Sequence, residues 1–398
     1  MQELTKKITQ ISTSISLLQE FIAAPSVTPC DAGLILTIAQ YLEELGFETS
    51  WFEENGVRNL IAKQVFSEGP SFAFSGHVDV VPAEQEHWHS DPFKATVVND
   101  VIYGRGVSDM KGGIAAMLSA TRVLLASKQK LKGTFYWLLT SDEEGEAEFG
   151  TKRIVERLSQ DGVTIDACLV GEPTSHNRVG DVIRNGRRGS ISGAIKIEGK
   201  AGHVAYPEQT INAAHIAGKI VATLCGLQWQ KDQPDVKTTL QVTGVNTTTD
   251  VDNIVPEACQ VNFNIRYSHG YSNQEIIGII ENHLARFKDN LSLDWSRACN
   301  PYYTSADIED SFLNLVENAI VQCTARYPIV NTAGGTSDGR FFANGHTQTI
   351  ECGVKNDTIH QANECLPISD LLEIEQIYLT VLSDFFGAKQ HLNLPAGE

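Results

Sequence analysis

The chain has 398 residues, of which 42% are hydrophobic and 20% are charged, a composition typical of globular domains. Lys and Arg number 31 and Asp and Glu number 49, so the formal net charge is −18 at pH 7. This excess of negative charge argues against nucleic acid or an anionic membrane as the principal partner. The length predicts more than one domain.

Cysteine usage and the N-terminal residues bear on the cellular compartment. The eight Cys residues are scattered without a CxxC pair, which suggests neither a thiolate zinc knuckle nor a disulfide framework and favours a reducing environment. The first 24 residues carry apolar residues at helical spacing but no uninterrupted apolar segment, so they predict an amphipathic helix and not a signal peptide. No run approaches the roughly 18 apolar residues that a membrane helix requires. We therefore predict a cytoplasmic protein.

The first part of the chain predicts alternating helices and strands. The N-terminal helix continues through residues 15–22, and residues 32–45 predict a second amphipathic helix that ends before Gly46. The next predicted strands are 47–52, 59–65, 71–76, 133–140 and 167–171, and the helices between them are 114–126 and 150–159. This order predicts an α/β domain with helices on both faces of a mostly parallel sheet.

The pattern changes near residue 182, where polar and apolar residues begin to alternate as in an antiparallel sheet. The predicted elements that follow are a helix at 211–224, strands at 238–243 and 258–267, and a helix at 272–287. This is the pattern of a ferredoxin-like α+β layer. We predict that it forms an inserted domain, residues 188–299.

The segments on either side of the insertion, 1–187 and 300–398, are predicted to form one discontinuous catalytic domain. A helix at 310–324, a strand at 347–352 and a helix at 370–386 would complete its α/β layers.

Potential metal ligands follow three of the predicted strands. His77 and Asp79 stand two residues apart after the strand at 71–76, so in extended chain both side chains leave on one face. An imidazole ligand and a carboxylate that fixes its tautomer suit this spacing. Glu144 and Glu172 follow two further strands. Because ligands of open α/β sheets bind beyond the carboxyl ends of the strands, these side chains should converge.

Two more residues complete a set of five ligands. Asp109 lies in the Gly-rich turn YGRGVSDMKGG, and His360 lies in NDTIHQANE. With one shared carboxylate, each of two metal ions would have three protein ligands and an open position, as in two-metal hydrolases. Nitrogen and oxygen donors without sulfur suit zinc and do not exclude manganese or cobalt. Glu143, next to Glu144, leaves one carboxylate free to act as the general base.

The segments SGHVDVVP, YGRGVSDMKGG, SDEEGEA, VGEPTS, GRRGS, GHVAYP, GGTSDGRF and NDTIH together resemble the dinuclear zinc amidohydrolases. That family includes acetylornithine deacetylase, the Gly-specific and aminoacyl carboxypeptidases and the succinyl-diaminopimelate desuccinylases. The resemblance runs from about residue 10 to about residue 385. GRRGS, GHVAYP and GGTSDGRF, with GDVIRNG before them, look most like the desuccinylases.

The resemblance implies a reaction and a cofactor. The reaction is hydrolysis of the amide of N-succinyl-L,L-2,6-diaminopimelate to succinate and L,L-diaminopimelate, which serves lysine and cell-wall precursor synthesis. The cofactor is a pair of Zn²⁺ ions per subunit, with Co²⁺ or Mn²⁺ as substitutes. The partners implied are a small acylated amino acid and a second copy of the chain, in a homodimer formed through residues 188–299.

The resemblance also implies residue roles at the metals. Asp109 would bridge the two ions, with His77 and Glu172 on one ion and Glu144 and His360 on the other. Asp79 would orient His77, and the peptide bond after Asp109 is often cis in such enzymes. Glu143 would deprotonate the attacking water.

The remaining implied roles concern the oxyanion and the substrate. His203 of the partner subunit would donate to the tetrahedral oxyanion. The expected substrate carries three carboxylates, which arginine can bind through two parallel hydrogen bonds. The residues matching the family's substrate contacts are Arg187, Ser190, Tyr206, Asn253, Arg266, Thr336 and Asn356.

One departure keeps other substrates open. Residues 247–256, TTTDVDNIVP, lack the glycines of close relatives and place Asp252 beside Asn253, where an extra acid would weaken binding of an anionic substrate. A related dinuclear zinc deacylase of the acetylornithine type or a carboxypeptidase is therefore the alternative. A metal-free binding homologue is the alternative outside enzymes, and it predicts missing ligands or a missing base.

Overall fold

A computed structural model describes residues 14–127, 129–233, 236–305, 311–342 and 346–387. Within them the chain forms two compact units. The larger unit contains the described parts of 1–186, 304–331 and 337–398, and the inserted unit contains those of 187–303 with 332–336. That residues 188–299 form the inserted domain stays a prediction from the sequence. The sequence did not predict that residues 332–336 belong to the inserted unit.

The larger unit is built on an eight-stranded sheet with the order β1-β2-β6-β3-β7-β18-β8-β17. Its strands are β1 (Glu48–Glu54), β2 (Val57–Ser67), β3 (Ser71–His77), β6 (Gly133–Thr140), β7 (Ala167–Val170), β8 (Val182–Arg184), β17 (Ile329–Asn331) and β18 (Gln348–Glu351). The central strands β6, β3, β7 and β18 are mutually parallel, and antiparallel pairs join them to β2 and β8. The sheet is therefore mixed, with its parallel part at the centre.

Helices cover both faces of this sheet, as the α/β pattern predicted. They are α1 (14–23 in the described chain), α2 (Leu34–Glu44), α3 (Lys111–Ala126), α4 (Thr151–Gln160), α7 (Phe312–Thr324) and α8 (Ile368–Phe386). Strand β3 shows why both faces are covered, since Phe72 and Phe74 enter the core with α3 and α8 while Ala73 enters the core with α4. A strand buried on both faces reads as a continuous apolar run.

A small sheet of β4 (Thr96–Val98), β5 (Val101–Tyr103) and β19 (Cys365–Pro367) also belongs to the larger unit. Asn99 and Asp100, which join β4 to β5, both have positive φ, as the tight turns of hairpins require. The pairing of β19 with β5 brings the chain after His360 back to the segment before Asp109.

The inserted unit contains a four-stranded antiparallel sheet with the order β12-β14-β10-β15. Its elements are β10 (Gly189–Glu198), α5 (Ala213–Cys225), β12 (Thr239–Thr247), β14 (Ala258–Tyr267), α6 (Asn273–Leu284) and β15 (Leu291–Cys299). This order is the ferredoxin-like arrangement that the sequence predicted. Four short strands, in two pairs, are the remaining strands of the described chain: β9 (Gly186–Arg187) with β16 (Tyr302–Tyr303), and β11 (Gly202–His203) with β13 (Ile254–Val255).

The predicted element bounds compare closely with the structure where the apolar pattern is strong. The predictions at 133–140 and 258–267 match β6 and β14, and the helix predicted at 114–126 begins three residues earlier, at Lys111. The first half of the predicted N-terminal helix and residue 310 of the predicted helix at 310–324 lie outside the described residues. Among the described residues, no helix is long and apolar enough to span a membrane.

Candidate metal centre

The candidate metal centre lies at the carboxyl ends of three adjacent parallel strands. His77 is the last residue of β3, and it is 1% exposed. β3 lies between β6 and β7, so the segments that follow these strands, which carry Glu144 and Glu172, meet at the same edge of the sheet. The topology thus brings Glu144 and Glu172 close to His77, although they follow it by 67 and 95 residues in the sequence.

Asp109 contacts both imidazoles of the centre. Its Oδ1 lies 3.1 Å from Nε2 of His77, and its Oδ2 lies 3.3 Å from Nε2 of His360. The Asp109–Met110 peptide bond is cis, as the resemblance implied. Gly113 lets the start of α3 approach this edge, because a Cβ at that position would lie 2.7 Å from the carbonyl oxygen of Gly171, just after β7.

The other two predicted ligands lie one beside each imidazole. Oε1 of Glu172 is 3.5 Å from Nε2 of His77, and Oε1 of Glu144 is 3.0 Å from Nε2 of His360. All five predicted ligands therefore meet in two groups that share the carboxylate of Asp109.

Glu143 also lies in this cluster. Ligand atoms of His77, Glu143 and Glu172 lie within 4.8 Å of one another, and so do ligand atoms of His77, Asp109 and Glu144. By distance alone Glu143 could serve as a base or as a ligand. Its place in sequence before Glu144, whose carboxylate contacts His360, leaves Glu143 as the carboxylate not needed for the five-ligand set.

Asp79 serves the centre differently from the sequence prediction. Nδ1 of His77 lies 2.9 Å from the backbone carbonyl oxygen of Asp79, whereas the Asp79 carboxylate is 3.7 Å away. That carboxylate accepts hydrogen bonds from the backbone N–H groups of Glu143 (3.3 Å) and Glu144 (3.1 Å). Asp79 therefore orients His77 mainly through its main chain and holds the turn after β6 through its side chain.

The electrostatics of the centre favour positive charge near its carboxylates. Burial raises the pKa of Glu143 well above its ordinary value, and the charge of Glu172 adds to that shift. Burial lowers the pKa of His77, but hydrogen bonding to Asp109 and nearby carboxylates outweigh it and raise this pKa well above 6.5. The hydrogen bond to Asp109, joined by Glu144, raises the pKa of His360 to about 10.

Four carboxylates and two imidazoles are crowded at one edge of the sheet, so the acids favour positive charge beside them. Divalent cations would supply that charge without protonating the imidazoles. Oxygen and imidazole nitrogen are also the donor types that such cations take. The residues present therefore fit a metal centre.

Three of the other predicted site residues lie together in the inserted unit. His203 is exposed in β11, and the N–H of Val204 donates to the carbonyl of Asn253 at 3.1 Å. The ring of His203 lies 5.9 Å from that of Tyr206, which is 57% exposed. The N–H of Ala205 donates to Nδ1 of His203 at 3.1 Å, so the proton of a neutral ring is on Nε2.

Ser190 and Arg266 are paired across β10 and β14 of the same unit. Asn264 joins them, because its Nδ2 lies 3.4 Å from Oγ of Ser190 and its Oδ1 accepts from Nε of Arg266 at 3.0 Å. Burial lowers the pKa of Arg266, and the charge of Arg188 lowers it further.

The guanidinium of Arg187 contacts backbone carbonyls of the protein, whereas the resemblance implies that it contacts a substrate carboxylate. Its Nη1 donates to the carbonyl of Ala333 at 3.0 Å, and the carbonyl of Gly335 is 3.5 Å away. Gly334, with φ of 101°, makes room for the guanidinium, since a Cβ there would lie 2.3 Å from Nη1. Arg187 thus holds the loop that ends at Thr336.

Asn356 is placed in the larger unit, where its N–H donates to the carbonyl of Ser175 at 3.0 Å. The seven predicted substrate contacts are therefore divided between the units, with six in the inserted unit.

Sequence reasoning missed three buried charged residues near the centre, namely Arg105, Lys111 and Glu364, which are 3%, 0% and 1% exposed. Arg105 and Lys111 stand in the same Gly-rich turn as Asp109, and Glu364 follows His360 by four residues. Charged residues flanking both ligands were a signal, but their burial depends on tertiary packing.

The fold and the converging ligands define a candidate metallohydrolase. The sequence profile described as Peptidase family M20/M25/M40 matches residues 73–384. The chain belongs to this family.

Two curated relatives match nearly the whole chain. Succinyl-diaminopimelate desuccinylase 1 of Alteromonas mediterranea is 45% identical over 374 residues, which cover 93% of this chain and 95% of the relative. Succinyl-diaminopimelate desuccinylase 2 of Shewanella loihica is 42% identical over 373 residues, 92% of this chain and 98% of the relative.

A solved structure shares the fold. The M20 family metallo-carboxypeptidase Sso-CP2 from Sulfolobus solfataricus has a TM-score of 0.77 with 18% identity, over 93% of this chain and 98% of the other.

Proposed function

We propose that this protein hydrolyses the amide bond of N-succinyl-L,L-2,6-diaminopimelate and releases succinate and L,L-diaminopimelate, in lysine and cell-wall precursor synthesis. The observation that carries the proposal is identity of 42% or more, over more than nine-tenths of the chain, to two relatives described as desuccinylases. The centre built on Asp109 is chemically suited to the reaction, because amide hydrolysis needs an activated water and stabilisation of a developing oxyanion.

The proposed cofactor is a pair of Zn²⁺ ions, with Co²⁺ or Mn²⁺ as substitutes. Asp109 would be shared, since its two oxygens face different imidazoles. The first ion would be held by His77 and Glu172 and the second by Glu144 and His360. When bound, such ions lower the pKa of a water and polarise the substrate carbonyl.

Glu143 is the proposed general base. Its carboxylate takes the proton of the attacking water and then delivers it to the amine nitrogen that leaves. The raised pKa of Glu143, caused by burial and by Glu172, makes its carboxylate a stronger base than an exposed one. The hydrogen bond from the N–H of Glu143 to the Asp79 carboxylate holds the backbone from which the Glu143 side chain extends.

His203 is the proposed donor to the oxyanion, contributed by the second subunit of a homodimer formed through residues 188–299. The contact from Ala205 leaves a hydrogen on Nε2 for this bond. Exposure of His203, Tyr206 and Asn253 in a single chain supports a role that a second subunit completes.

The chain has a formal net charge of −18, so binding of an acylated amino acid with three carboxylates would need positively charged side chains at the site. Arg266, with Ser190 beside it, is the proposed carboxylate contact, because its desolvated guanidinium gains most from a negative partner. Arg187 would act through the loop to Thr336, and Tyr206, Asn253 and Asn356 would supply polar contacts.

Asp252 favours a second candidate, an acetylornithine-type deacylase or carboxypeptidase. It is exposed beside Asn253 and adds a negative charge where the proposed substrate is itself anionic. A metal-free binding homologue is disfavoured, because all five ligands and Glu143 converge. A cytoplasmic location stays part of the proposal, since both substrate and product belong to biosynthesis.

The test is a comparison of kcat/KM for N-succinyl-L,L-2,6-diaminopimelate and N-acetylornithine, with zinc restored to chelator-treated protein. We expect turnover of the succinyl substrate at least 100-fold more efficient, because the site would hold carboxylates that acetylornithine lacks. Preference for acetylornithine would support the second candidate. Zinc binding without turnover of either substrate would refute the proposed function.

A further inference from the structure

Two loops that carry proposed metal ligands are joined by a buried ion pair outside the ligand set. Asp109 ends the turn formed by residues 104–109, and His360 lies in the loop of residues 356–365. Arg105 in the turn and Glu364 in the loop form a salt bridge of 2.8 Å between Nη1 and Oε2. Both side chains are nearly inaccessible, at 4% and 1% exposed.

The carboxylate of Glu364 organises the main chain of the turn. Oε2 accepts from the N–H of Gly106 at 2.9 Å as well as from Arg105, and Oε1 accepts from the N–H groups of Ser108 (2.9 Å) and Asp109 (3.2 Å). Each oxygen therefore receives two donors. The neutral amide of a glutamine could not accept from both pairs of donors, because its nitrogen carries hydrogens and would face donors itself.

Arg105 binds the His360 loop from the other side. Its Nη1 also donates to the carbonyl of Gln361, at 3.2 Å, directly after the ligand. Its Nη2 lies 3.4 Å from the carbonyl of Pro82, and its guanidinium lies over the ring of Trp88, 5.2 Å from the centroid. The guanidinium is thus fixed on three sides while it contacts the loop.

Further hydrogen bonds close the loop on the turn. Oγ of Ser108 donates to the carbonyl of Cys365 at 3.1 Å, and the N–H of Gly104 donates to the carbonyl of Glu364 at 3.1 Å. Oγ1 of Thr358 accepts from the N–H of Cys365 at 3.2 Å. His360 has φ of 60°, which is uncommon for a residue other than glycine, so its backbone has to be held by its surroundings.

We propose that the Glu364–Arg105 pair positions Asp109 and His360 relative to each other, and that the metal ion held by Asp109, Glu144 and His360 depends on it. Both residues are positioning residues that act through the ligands. The inference rests on the proposed metal centre, although it makes no use of the substrate.

The two metal positions should differ in this dependence. His77 is fixed by β3 and by its hydrogen bond to the carbonyl of Asp79, neither of which involves Glu364. The ion on His77 and Glu172 would share only Asp109 with the network. The ion on the His360 side would have two of its three ligands in it.

The test is zinc binding by the full chain, measured with Zn²⁺ alone in competition with a chromophoric chelator. Glu364→Gln keeps the side-chain size, and loss of such supporting contacts typically weakens metal affinity about 10–100-fold. We expect a loss of that size at one of the two zinc sites, the one on the His360 side, and a smaller loss at the other. kcat at limiting zinc should fall with little change in KM, and excess zinc should restore it.

The matched control is Glu375→Gln. Glu375 is also a buried carboxylate of the larger unit, 8% exposed, and it bonds to Ser119 of α3 at 2.7 Å. This control should leave both zinc affinities unchanged. Unchanged zinc affinities in Glu364→Gln, or equal weakening of both ions, would overturn the proposal, and so would a lower melting temperature of the metal-free protein as the sole effect.

Arg105→Lys is the second variant, used if Glu364→Gln does not fold. It keeps the buried charge but loses donors to Gln361 and Pro82, so the zinc site on the His360 side should again lose affinity, by less than in Glu364→Gln. Wild-type protein that binds two zinc ions without cleaving the succinyl substrate would refute the proposed function and leave this inference intact.

Discussion

At the residue scale, Asp79 links the two sides of the metal centre. Its carbonyl oxygen lies 2.9 Å from Nδ1 of His77, and its carboxylate accepts hydrogen bonds from the N–H groups of Glu143 and Glu144. The proposed base Glu143 and the proposed ligands His77 and Glu144 are therefore all held by a single residue. The sequence spacing of His77 and Asp79 predicted that the two residues contact each other, although through the Asp79 carboxylate and not its carbonyl. The hydrogen bonds from Glu143 and Glu144 were not predicted, because they depend on β6 lying next to β3.

Asp79→Asn should test this second contact. An amide retains one oxygen, so it can accept from only one of the two N–H groups. We expect kcat to fall about 10–100-fold, in the range of other supporting contacts at metal sites, with KM nearly unchanged. Steady-state kinetics at saturating zinc measures this. Asp79→Ala removes both acceptors and should lose more, so equal activity of the two variants would count against the role.

Glu143→Ala should separate the general base from the ligands. Removal of a general base typically costs about 10²–10⁴-fold in rate, and we expect a fall of that size in kcat with two zinc ions still bound. Glu144→Ala should lose zinc as well as activity, because Glu144 contacts His360. Metal analysis of both purified variants checks this. Loss of zinc in Glu143→Ala but not in Glu144→Ala would make Glu143 the ligand and Glu144 the base.

At the scale of elements, the sequence predicts what strand burial and helical spacing control. The apolar run at 133–140 gave β6 at its observed ends because that strand is buried over most of its length. The alternation at 258–267 gave β14 because every second residue of that strand is buried. The short strands β4 and β5 were missed, since three residues give too little periodicity, although Asn99-Asp100 is a hairpin signal.

The convergence of His77, Glu144 and Glu172 could be predicted because each follows a strand that the sequence indicates, and the parallel sheet brings those strand ends together. Glu364 could not be predicted in the same way. Its donors lie 255 to 259 residues earlier in the chain, and no local pattern shows that Arg105 is buried with it. The hydrogen bond from Arg187 to the carbonyl of Ala333 likewise could not be predicted, because the two residues lie 146 positions apart.

Glu375 allows a prediction about the packing of α8 on α3. Burial raises the pKa of this carboxyl, against the lowering effect of hydrogen bonds from Ser14 and Ser119. The folded state then binds a proton more readily than the unfolded state, so stability falls as pH rises from about the unfolded value of 4.5 through the folded pKa. Removing the charge should therefore stabilise the protein at neutral pH.

Glu375→Gln should raise the free energy of unfolding at pH 7, and the gain should shrink as the pH is lowered towards 4.5. Urea unfolding of the metal-free protein at several pH values measures it. A gain that is the same at every pH would show that packing, and not the buried charge, is responsible.

At the scale of the whole molecule, the chain separates the proposed chemistry between its two units. The metal ligands and Glu143 all belong to the larger unit, whereas His203 belongs to the inserted unit. A second copy that supplies His203 would make each active site depend on two chains. Isologous dimers allow this, since the same exchange completes both sites.

Heterodimers of Glu143→Ala and His203→Ala chains test the arrangement. If His203 acts across the dimer, one of the two sites combines both defects and the other has neither. A purified heterodimer, made by co-expression with two different affinity tags, should then show about half of wild-type kcat per dimer, while each mutant homodimer stays inactive.

The alternative arrangement gives a different result. If His203 served the site of its own chain, every site in the heterodimer would carry one defect, and activity would stay at the level of the homodimers. A heterodimer of Glu143→Ala with wild-type chains is the matched control, because it should reach about half activity under either arrangement. Half activity in the control without recovery in the test pair would place His203 in the site of its own chain.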